Sequence, residues 1–172
     1  WTYEYVRDNW NSMPDVFGGL TLEGNDEDNG LYGTAANDIF IGNGGNDSMY
    51  GNNGNDRFLG GKGDDIINAG NGNDTFIWNL GDGLDTITDG GGHDKISFGP
   101  GIRFEDLSFS LVSGHRSLKI TVKGDETQGI ILNNHMGNQP DYKIEDLYFY
   151  DGSIVHLSEI PLTLRQNSTQ GE

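Results

Sequence analysis

Apolar residues recur at one position of a nine-residue repeat through the middle of the chain. Residues 24–97 divide into eight rows of nine, with a two-residue insertion, Trp78-Asn79, between the sixth row and the seventh. The first six positions of a row are rich in Gly, Asn and Asp, which favour turns, and the last three have strand character. Position eight is apolar in every row, at Leu31, Phe40, Met49, Phe58, Ile67, Phe76, Ile87 and Ile96. The pattern predicts short strands whose eighth position points inward while positions seven and nine point outward.

Two rows make one 18-residue coil of strand, turn, strand and turn. Stacked coils would bury two apolar columns against each other, each formed by the position-eight residues of alternate rows. One column is Leu31, Met49, Ile67 and Ile87, and the other is Phe40, Phe58, Phe76 and Ile96. The repeat therefore predicts an all-β solenoid, rather than the disordered linker that a count of 28 glycines would indicate.

Position six is acidic in every row except the first. Its residues alternate between two edges of the solenoid, with Asn29, Asp47, Asp65 and Asp85 on one edge and Asp38, Asp56, Asp74 and Asp94 on the other. Neighbouring carboxylates about one strand spacing apart, roughly 4.8 Å, repel each other in a partly desolvated turn. Residues 24–97 contain 13 acids but only three basic residues, Arg57, Lys62 and Lys95. We therefore expect a bound cation between the coils.

Calcium is the cation that suits these turns best. Ca²⁺ takes six to eight oxygen ligands in irregular geometry, whereas Mg²⁺ requires a strict octahedron and Zn²⁺ prefers His or Cys. We expect about four to six ions, bound by the position-six side chains and by backbone carbonyls of positions two and four. The carbonyl candidates are Asn43, Gly45, Asn52, Gly54, Gly61, Gly63, Gly70, Gly72, Gly81, Gly83, Gly90 and Gly92. The alternative is a metal-free solenoid with solvated turns, but a core one side chain wide is too thin to hold so acidic a fold.

The rows follow the pattern Gly-Gly-x-Gly-x-Asp-x-apolar-x, which resembles the nonapeptide repeat of the RTX (repeats-in-toxin, haemolysin-type calcium-binding) family. The resemblance covers residues 24–97. The segment from Gly99 to about Pro161 resembles the capping segment that follows such repeats in haemolysins and adenylate cyclase toxins. The resemblance implies a right-handed parallel β-roll of short strands with a C-terminal antiparallel β cap.

The flanks of the repeats have a different character. Residues 98–161 contain fewer glycines and are predicted to form the capping β segment, because the end of a solenoid must be covered. The predicted strands there are Arg103–Ser110, Leu118–Val122, Ile130–Asn133, Leu147–Tyr150 and Ile154–Leu157. Residues 1–23 are interpreted as an N-terminal flank or cap rich in aromatic side chains, and residues 162–172 as a disordered tail.

The composition excludes several classes of partner. Ten Lys and Arg against 27 Asp and Glu leave a net charge of −17, so nucleic acid and anionic membrane surfaces should repel the chain. There is no cysteine, and no apolar run approaches the roughly 18 residues of a transmembrane helix. We expect no transmembrane segment and, because residues 1–5 lack the basic and apolar regions of a leader, no N-terminal signal peptide.

The resemblance also implies a biological setting. Modules of this family form the C-terminal part of larger secreted bacterial toxins and exoenzymes, which cross the envelope unfolded through a type I secretion system and fold outside in calcium. We therefore expect an extracellular, monomeric module that meets the secretion machinery transiently. The chain has neither a His-Glu-x-x-His nor a Gly-x-Ser-x-Gly motif, so we expect no enzyme activity in these residues. The alternative function is an adhesive or carbohydrate-binding module of an adhesin or polysaccharide-modifying enzyme.

Overall fold

The computed structural model describes residues 18–112, 116–135 and 143–160. Within these ranges the chain forms short β-strands and two 3₁₀ turns, at Phe104–Asp106 and Leu157–Glu159. The strands are β1 (Thr21–Glu23), β2 (Gly30–Tyr32), β3 (Ile39–Gly44), β4 (Ser48–Tyr50), β5 (Arg57–Lys62), β6 (Ile66–Asn68), β7 (Thr75–Trp78), β8 (Leu84–Thr88), β9 (Asp94–Phe98), β10 (Leu107–Val112), β11 (Ser117–Val122), β12 (Asp125–Leu132), β13 (Ile144–Tyr148) and β14 (Ile154–His156). None of the described residues forms a helix long and apolar enough to cross a membrane.

Alternate strands belong to two sheets that face each other. Sheet A has the order β1-β3-β5-β7-β9-β13-β14, and sheet B has the order β10-β11-β12-β8-β6-β4-β2. Every strand pair from β1 to β9 is parallel. Each successive strand of the repeats therefore enters the opposite sheet, one row further along. The predicted all-β, parallel solenoid is confirmed.

The core consists of the two predicted apolar columns. In sheet A, Phe40, Phe58, Phe76 and Ile96 occupy matching register positions on neighbouring strands. The rings of Phe40 and Phe58 stack with centroids 4.7 Å apart, and those of Phe58 and Phe76 with centroids 5.3 Å apart. In sheet B, Leu31, Met49, Ile67 and Ile87 align in the same way. Each of these residues packs on the residue at the same position one coil away. A one-residue slip in strand register would turn them all away from the core, so burial of the columns fixes the register.

The insertion Trp78-Asn79 lengthens one coil without breaking the column. Trp78 ends β7, is buried, and packs its ring edge-on against Phe98 with centroids 6.2 Å apart. Phe76 still pairs with Ile96, twenty residues later instead of eighteen. The extra residues therefore add apolar contact at the end of β7 and leave the stacking intact.

Two features differ from the simple row pattern. Sheet A begins one row earlier than residue 24, because Leu22 of β1 pairs with Phe40. Positions seven and nine are also buried in part of sheet A: Ile39 and Ile41 are 3% exposed and Leu59 is 1% exposed. These rows hold apolar residues at positions where the matching rows of sheet B hold polar or half-buried residues such as Ser48 and Asn68.

The segment after the repeats continues the solenoid before it becomes antiparallel. β12 pairs in parallel with β8, and β13 pairs in parallel with β9. Leu132 lies beside Ile87 and Leu147 beside Ile96, so each apolar column gains one more layer. The outer pairs β10–β11, β11–β12 and β13–β14 are antiparallel, as predicted for the cap. The open edges of β8 and β9 offer unpaired backbone groups, and β12 and β13 pair with them.

The predicted cap strands overlap the observed ones with shifted bounds. β12 begins at Asp125, five residues before the predicted Ile130. At Arg103–Ser110, Phe104–Asp106 form a 3₁₀ turn and β10 begins only at Leu107. The turn is closed by two hydrogen bonds, from the N–H of Arg103 to Asp106 Oδ2 at 2.9 Å and from the N–H of Asp106 to the Arg103 carbonyl at 3.0 Å. The aromatic residues 1–17 and the predicted disordered tail 162–172 lie outside the described residues.

Candidate metal centre

The position-six carboxylates form a hydrogen-bonded ladder along each edge of the solenoid. Asp38, Asp47, Asp56, Asp65, Asp74, Asp85 and Asp94 are all buried, whereas Asn29 is half-buried. The Oδ1 atom of each aspartate accepts the backbone N–H of the position-six residue one coil earlier. For example, the N–H of Asp38 donates to Asp56 at 2.8 Å, and that of Asp47 donates to Asp65 at 2.7 Å. Both ladders continue across the insertion. The backbone N–H of Asp65 donates to Asp85 Oδ1 at 3.0 Å, and that of Asp74 donates to Asp94 Oδ1 at 2.6 Å.

The second carboxylate oxygen is left without a partner in most interior rows. Within the described part of the chain, the Oδ2 atoms of Asp47, Asp56, Asp65, Asp74 and Asp94 are buried and have no hydrogen-bond partner. The position-one glycine of the row leaves room for this oxygen. A Cβ atom at Gly42 would lie 2.2 Å from Asp47 Oδ2, and one at Gly60 would lie 2.2 Å from Asp65 Oδ2. A buried acceptor of this kind is costly unless something binds it.

Burial raises the pKa of the interior carboxyl groups far above their ordinary value of 3.8. The pKa of Asp56 and of Asp65 rises to about 7, and that of Asp74 to about 8. The hydrogen bond from the backbone lowers each pKa in part, and the neighbouring carboxylates raise it again. The pKa of Asp85 is raised well above 3.8, with burial as the largest cause and Asp65 the next. At neutral pH these columns therefore need protons or a cation.

The turn residues at positions two and four adopt a repeating left-handed backbone. At position two φ is +77° for Asn43, +95° for Gly61 and +97° for Gly81, and at position four it is +129° for Gly63 and +132° for Gly72. Such φ values favour Gly and Asn, which explains their alternation in the first half of each row. Among the interior rows Gly90 is the exception at position two, because the last row has its left-handed φ at position three, Gly91, instead.

The carbonyls of these turns point from one coil toward the next. A Cβ atom at Gly63 would lie 1.9 Å from the Gly45 carbonyl oxygen, and one at Gly72 would lie 1.8 Å from that of Gly54. Position two is similar, since a Cβ at Gly70 would lie 1.9 Å from the Asn52 oxygen. The structure thus places the predicted carbonyls of Gly45, Asn52 and Gly54 against the next coil. Some already accept backbone hydrogen bonds across the gap, for example Asn52 from Asn71 at 2.8 Å and Gly70 from Gly90 at 2.8 Å.

The first coil differs from the interior ones. Asp38 Oδ2 accepts a hydrogen bond from the N–H of Thr34 at 2.5 Å, and Asn29 Oδ1 accepts one from the N–H of Asn25 at 2.7 Å. Thr34 and Asn25 stand at position two, and neither has the left-handed φ of the interior turns. Local N–H donors therefore take the place that a cation would fill further along each edge.

A second ladder, at position five, runs along the surface of the turns. The side-chain oxygen of each position-five Asn or Asp accepts the position-five N–H of the next coil, as from Asn46 to Asp28 at 2.7 Å and from Asp64 to Asn46 at 2.9 Å. It continues through Asp64, which accepts from Leu84 at 2.9 Å, and Asn73, which accepts from His93 at 3.0 Å. Asn or Asp occupies this position in the first six rows, and that regularity was the available sequence signal for the ladder.

Three further acids lie beside the position-six aspartates without occupying position six themselves. Asp82 and Asp89 are each 8% exposed, and burial raises the pKa of Asp82 to about 6 and that of Asp89 to about 8. Asp89 lies with Asp74 and Asp94 in a group of three carboxylates whose nearest oxygens are all within 4.8 Å. Glu145 of β13 accepts the N–H of Asp94 at 2.8 Å, the bond that a position-six aspartate makes elsewhere. Row position alone does not reveal these roles.

The donor set of the gaps fits calcium. Each interior gap offers unpaired carboxylate oxygens and backbone carbonyls, all hard oxygen donors in an irregular turn. Ca²⁺ prefers such ligands and tolerates such geometry, whereas Zn²⁺ prefers nitrogen and sulfur.

Two of three comparisons with known proteins gave matches. Among solved structures, the chain is similar to the solution structure of the AlgE6R3 subunit from the Azotobacter vinelandii mannuronan C5-epimerase. The identity is 27%, the TM-score is 0.46, and the match covers 70% of this chain and 78% of that chain. No curated protein matches the chain. The family model of the RTX calcium-binding nonapeptide repeat matches residues 23–58, 50–77 and 79–104, in four copies. Residues 23–77 and 79–104 therefore carry the RTX calcium-binding nonapeptide repeat.

Proposed function

We propose that the module is a calcium-operated folding switch. The observation that carries the proposal is that, among the described residues, five position-six aspartates have a buried Oδ2 atom without a hydrogen-bond partner: Asp47, Asp56, Asp65, Asp74 and Asp94. Without a cation, folding at neutral pH must bury these carboxylates beside one another, and that opposes the stability of a thin core. Calcium between the coils neutralises them, and because it binds the folded state, it shifts the folding equilibrium by mass action.

The turn geometry favours four interior ions, at the lower end of the expected range. Two gaps on each edge have an aspartate on both sides and left-handed turns in both flanking rows. These gaps are Asp47–Asp65, Asp65–Asp85, Asp56–Asp74 and Asp74–Asp94. The gaps next to Asn29 and Asp38 have such a turn on one side only, and local N–H donors already serve the first coil. We assign the ions to the four interior gaps.

The RTX repeats support a proposal for the biological setting. RTX repeats are typical of secreted proteins, and in the low calcium of a cytosol the charge of −17 would keep this module unfolded. We propose that it is the C-terminal folding module of a larger bacterial protein that passes through a type I secretion system and folds outside the cell. In this proposal the module is monomeric and has no catalytic activity of its own.

A calcium titration of the intact chain tests the proposal. We expect a coil-like far-UV circular dichroism spectrum in calcium-free buffer at pH 7.5 and a cooperative rise in β signal as calcium is added. Equilibrium dialysis with radioactive calcium would give the number of ions, with four expected. Magnesium at the same concentration is the control, and it should leave the chain unfolded. Full β signal and cooperative melting in calcium-free buffer would exclude a calcium switch.

One surface feature supports the second candidate, a carbohydrate-binding module. Tyr32 and Tyr50 stack on the outside of sheet B with centroids 5.1 Å apart and planes only 2° apart, and Tyr32 is 66% exposed. Exposed aromatic faces flanked by amide side chains, here Asn52 and Asn68, suit the stacking of sugar rings. Tyr50→Ala should abolish retention on immobilised polysaccharide if this is a binding surface. No retention of the parent protein would leave the folding switch as the only function proposed.

A further inference from the structure

The last calcium gap has a composition that no other gap shares. Row 89–97 carries Asp89 at position one, where four of the six preceding repeat rows from Gly33 onward carry glycine. In those rows a Cβ atom at position one would press on the row's own aspartate, as at Gly51, where it would lie 2.4 Å from Asp56 Oδ2. The last row instead places a second carboxylate beside Asp94.

Asp89 is enclosed, and its carboxylate lies against that of Asp94. It is 8% exposed, and within the described residues neither Oδ1 nor Oδ2 has a hydrogen-bond partner. One oxygen each from Asp74, Asp89 and Asp94 lie within 4.8 Å of one another. Asp74 and Asp94 each also have a buried Oδ2 atom without a hydrogen-bond partner within the described residues. Three carboxylates so close together and so little solvated require a cation or shared protons.

Glu145 extends this group into the cap. It stands at an irregularity of β13, between Ile144, which pairs with Asp94, and Asp146, which pairs with Lys95. Its Oε2 accepts the N–H of Asp94 at 2.8 Å, and its charge acts on both Asp89 and Asp94. Glu145 thus stands where the next position-six aspartate would stand if the repeat continued.

We propose that Asp74, Asp89, Asp94 and Glu145 form a carboxylate-rich calcium site that joins the last coil to the cap. The inference rests on the proposed calcium switch and identifies one gap as different from the other three. Calcium affinity rises with the number of charged ligands, so this site should fill first. Because one carboxylate comes from β13, filling the site also holds the cap against β9.

Two substitutions of the intact chain test the site. Asp89→Gly restores the glycine found at position one of other rows, and Glu145→Gln keeps the size of the side chain while removing its charge. Asp26→Asn is the matched control, since Asp26 is an exposed acid of the first row and loses the same charge. Binding of calcium alone is measured by equilibrium dialysis and calorimetry, and cap docking by hydrogen exchange of the Asp94 amide.

We expect Asp89→Gly to weaken the tightest class of site by about tenfold while the remaining sites keep their affinity. Glu145→Gln should weaken the same class and speed exchange of the Asp94 amide. The double variant should lose no more than one site, because both residues serve one ion. Asp89→Asn provides a second variant that keeps a side chain at this position, and it should reproduce the loss.

Three results would overturn the site. Variants that bind calcium like Asp26→Asn would show that the carboxylates share a proton rather than an ion. Loss of two separate sites in the double variant would show that Asp89 and Glu145 serve different ions. If the Asp94 amide exchanges at the same rate in Glu145→Gln as in the parent chain, the site does not hold the cap against the last coil. Failure of the parent chain to bind calcium would instead contradict the proposed function itself.

Discussion

The backbone N–H of Asp56 donates to Oδ1 of Asp74, 2.7 Å away in the next coil, while Oδ2 of Asp74 has no hydrogen-bond partner within the described residues. One oxygen of the carboxylate thus joins two coils and the other is left for a ligand. The same division recurs at Asp47, Asp56 and Asp65. The position-six aspartate is therefore both a structural acceptor and a candidate calcium ligand, and its substitution affects both.

Calcium should determine whether the module is folded. At pH 7.5 we expect little β signal without calcium and a cooperative transition with a midpoint of about 10⁻⁴–10⁻³ M, the range of extracellular calcium modules. The physical reason is the set of buried carboxylates, which only a cation makes tolerable at that pH. Far-UV circular dichroism at increasing calcium concentration measures the midpoint. A gradual, non-cooperative response would contradict coupled folding.

Low pH should stabilise the calcium-free fold in part, because protons neutralise the buried carboxylates that calcium would otherwise neutralise. The raised pKa values mean that the folded, calcium-free state holds protons on Asp56, Asp65 and Asp74 that the unfolded state has released. Above pH 3.8 the unfolded carboxyls ionise first, so the stability of the calcium-free fold decreases as pH rises and is lowest above about pH 8. Calcium-free protein should therefore gain β signal between pH 7.5 and pH 5. Circular dichroism in calcium-free buffer across this range tests it, and an unchanged spectrum would contradict the predicted stabilisation by protons.

Interior ligand acids should differ from surface acids. Asp65→Ala affects two of the four assigned calcium gaps and Asp56→Ala affects one, and each removes a hydrogen bond between coils. We therefore expect the calcium midpoint to rise by about tenfold or more, and further for Asp65→Ala. Asp26→Ala, at an exposed position three, should titrate like the parent chain. Calorimetry of the variants makes the comparison, and equal losses in all of them would show that the assigned register is wrong.

The position-five acid Asp64 should have a structural effect instead. Its Oδ1 accepts the N–H of Leu84, so Asp64→Ala removes a hydrogen bond worth about 1 kcal/mol. Asp64→Asn keeps the acceptor and should retain the stability of the parent. The number of bound ions should stay the same in both variants. Urea unfolding in saturating calcium measures the difference, and a lost ion in either variant would assign Asp64 to a metal site.

The cap should be needed for folding of the repeats. Leu132 and Leu147 cover Ile87 and Ile96, the last residues of the two columns, so residues 1–97 alone would expose both. We expect this fragment to remain largely unfolded at about 10 mM calcium, well above the affinity range of extracellular modules. Leu147→Ala in the intact chain is the milder test and should cost about 2–5 kcal/mol. A fragment that folds with the midpoint of the intact chain would show that the segment has another role.

Glycine at position two should matter for contact between coils as well as for φ. Gly61 and Gly81 have nearly the same φ, +95° and +97°, but a Cβ at Gly61 would lie 2.2 Å from the Asn43 oxygen, whereas one at Gly81 meets nothing within 4 Å. Gly81→Ala should cost about 1 kcal/mol for the left-handed backbone alone. Gly61→Ala should cost at least about 2 kcal/mol more, because the coils must separate. Thermal melting in saturating calcium compares them, and equal losses would exclude the effect of close coil contact.

The sequence by itself determined the solenoid. The nine-residue period, the inward position eight and the acidic position six depend on turn and strand preferences within one row, so neighbours such as Gly54 and Asp56 reveal them directly. Stacking then follows, because only alignment of like positions buries a column such as Phe40, Phe58 and Phe76. The resemblance to RTX repeats rests on the same local pattern.

Only the tertiary structure decided how the solenoid ends. Glu145 meets Asp94 across 51 residues of chain. The sequence pattern of β13 is compatible with either strand direction, and the structure shows that β13 pairs with β9 in parallel. The burial of Asp89 likewise depends on Asp74 one coil away and on the cap beyond it. Local preferences are set by adjacent residues, whereas partners, strand direction and desolvation are set by what the rest of the chain places alongside.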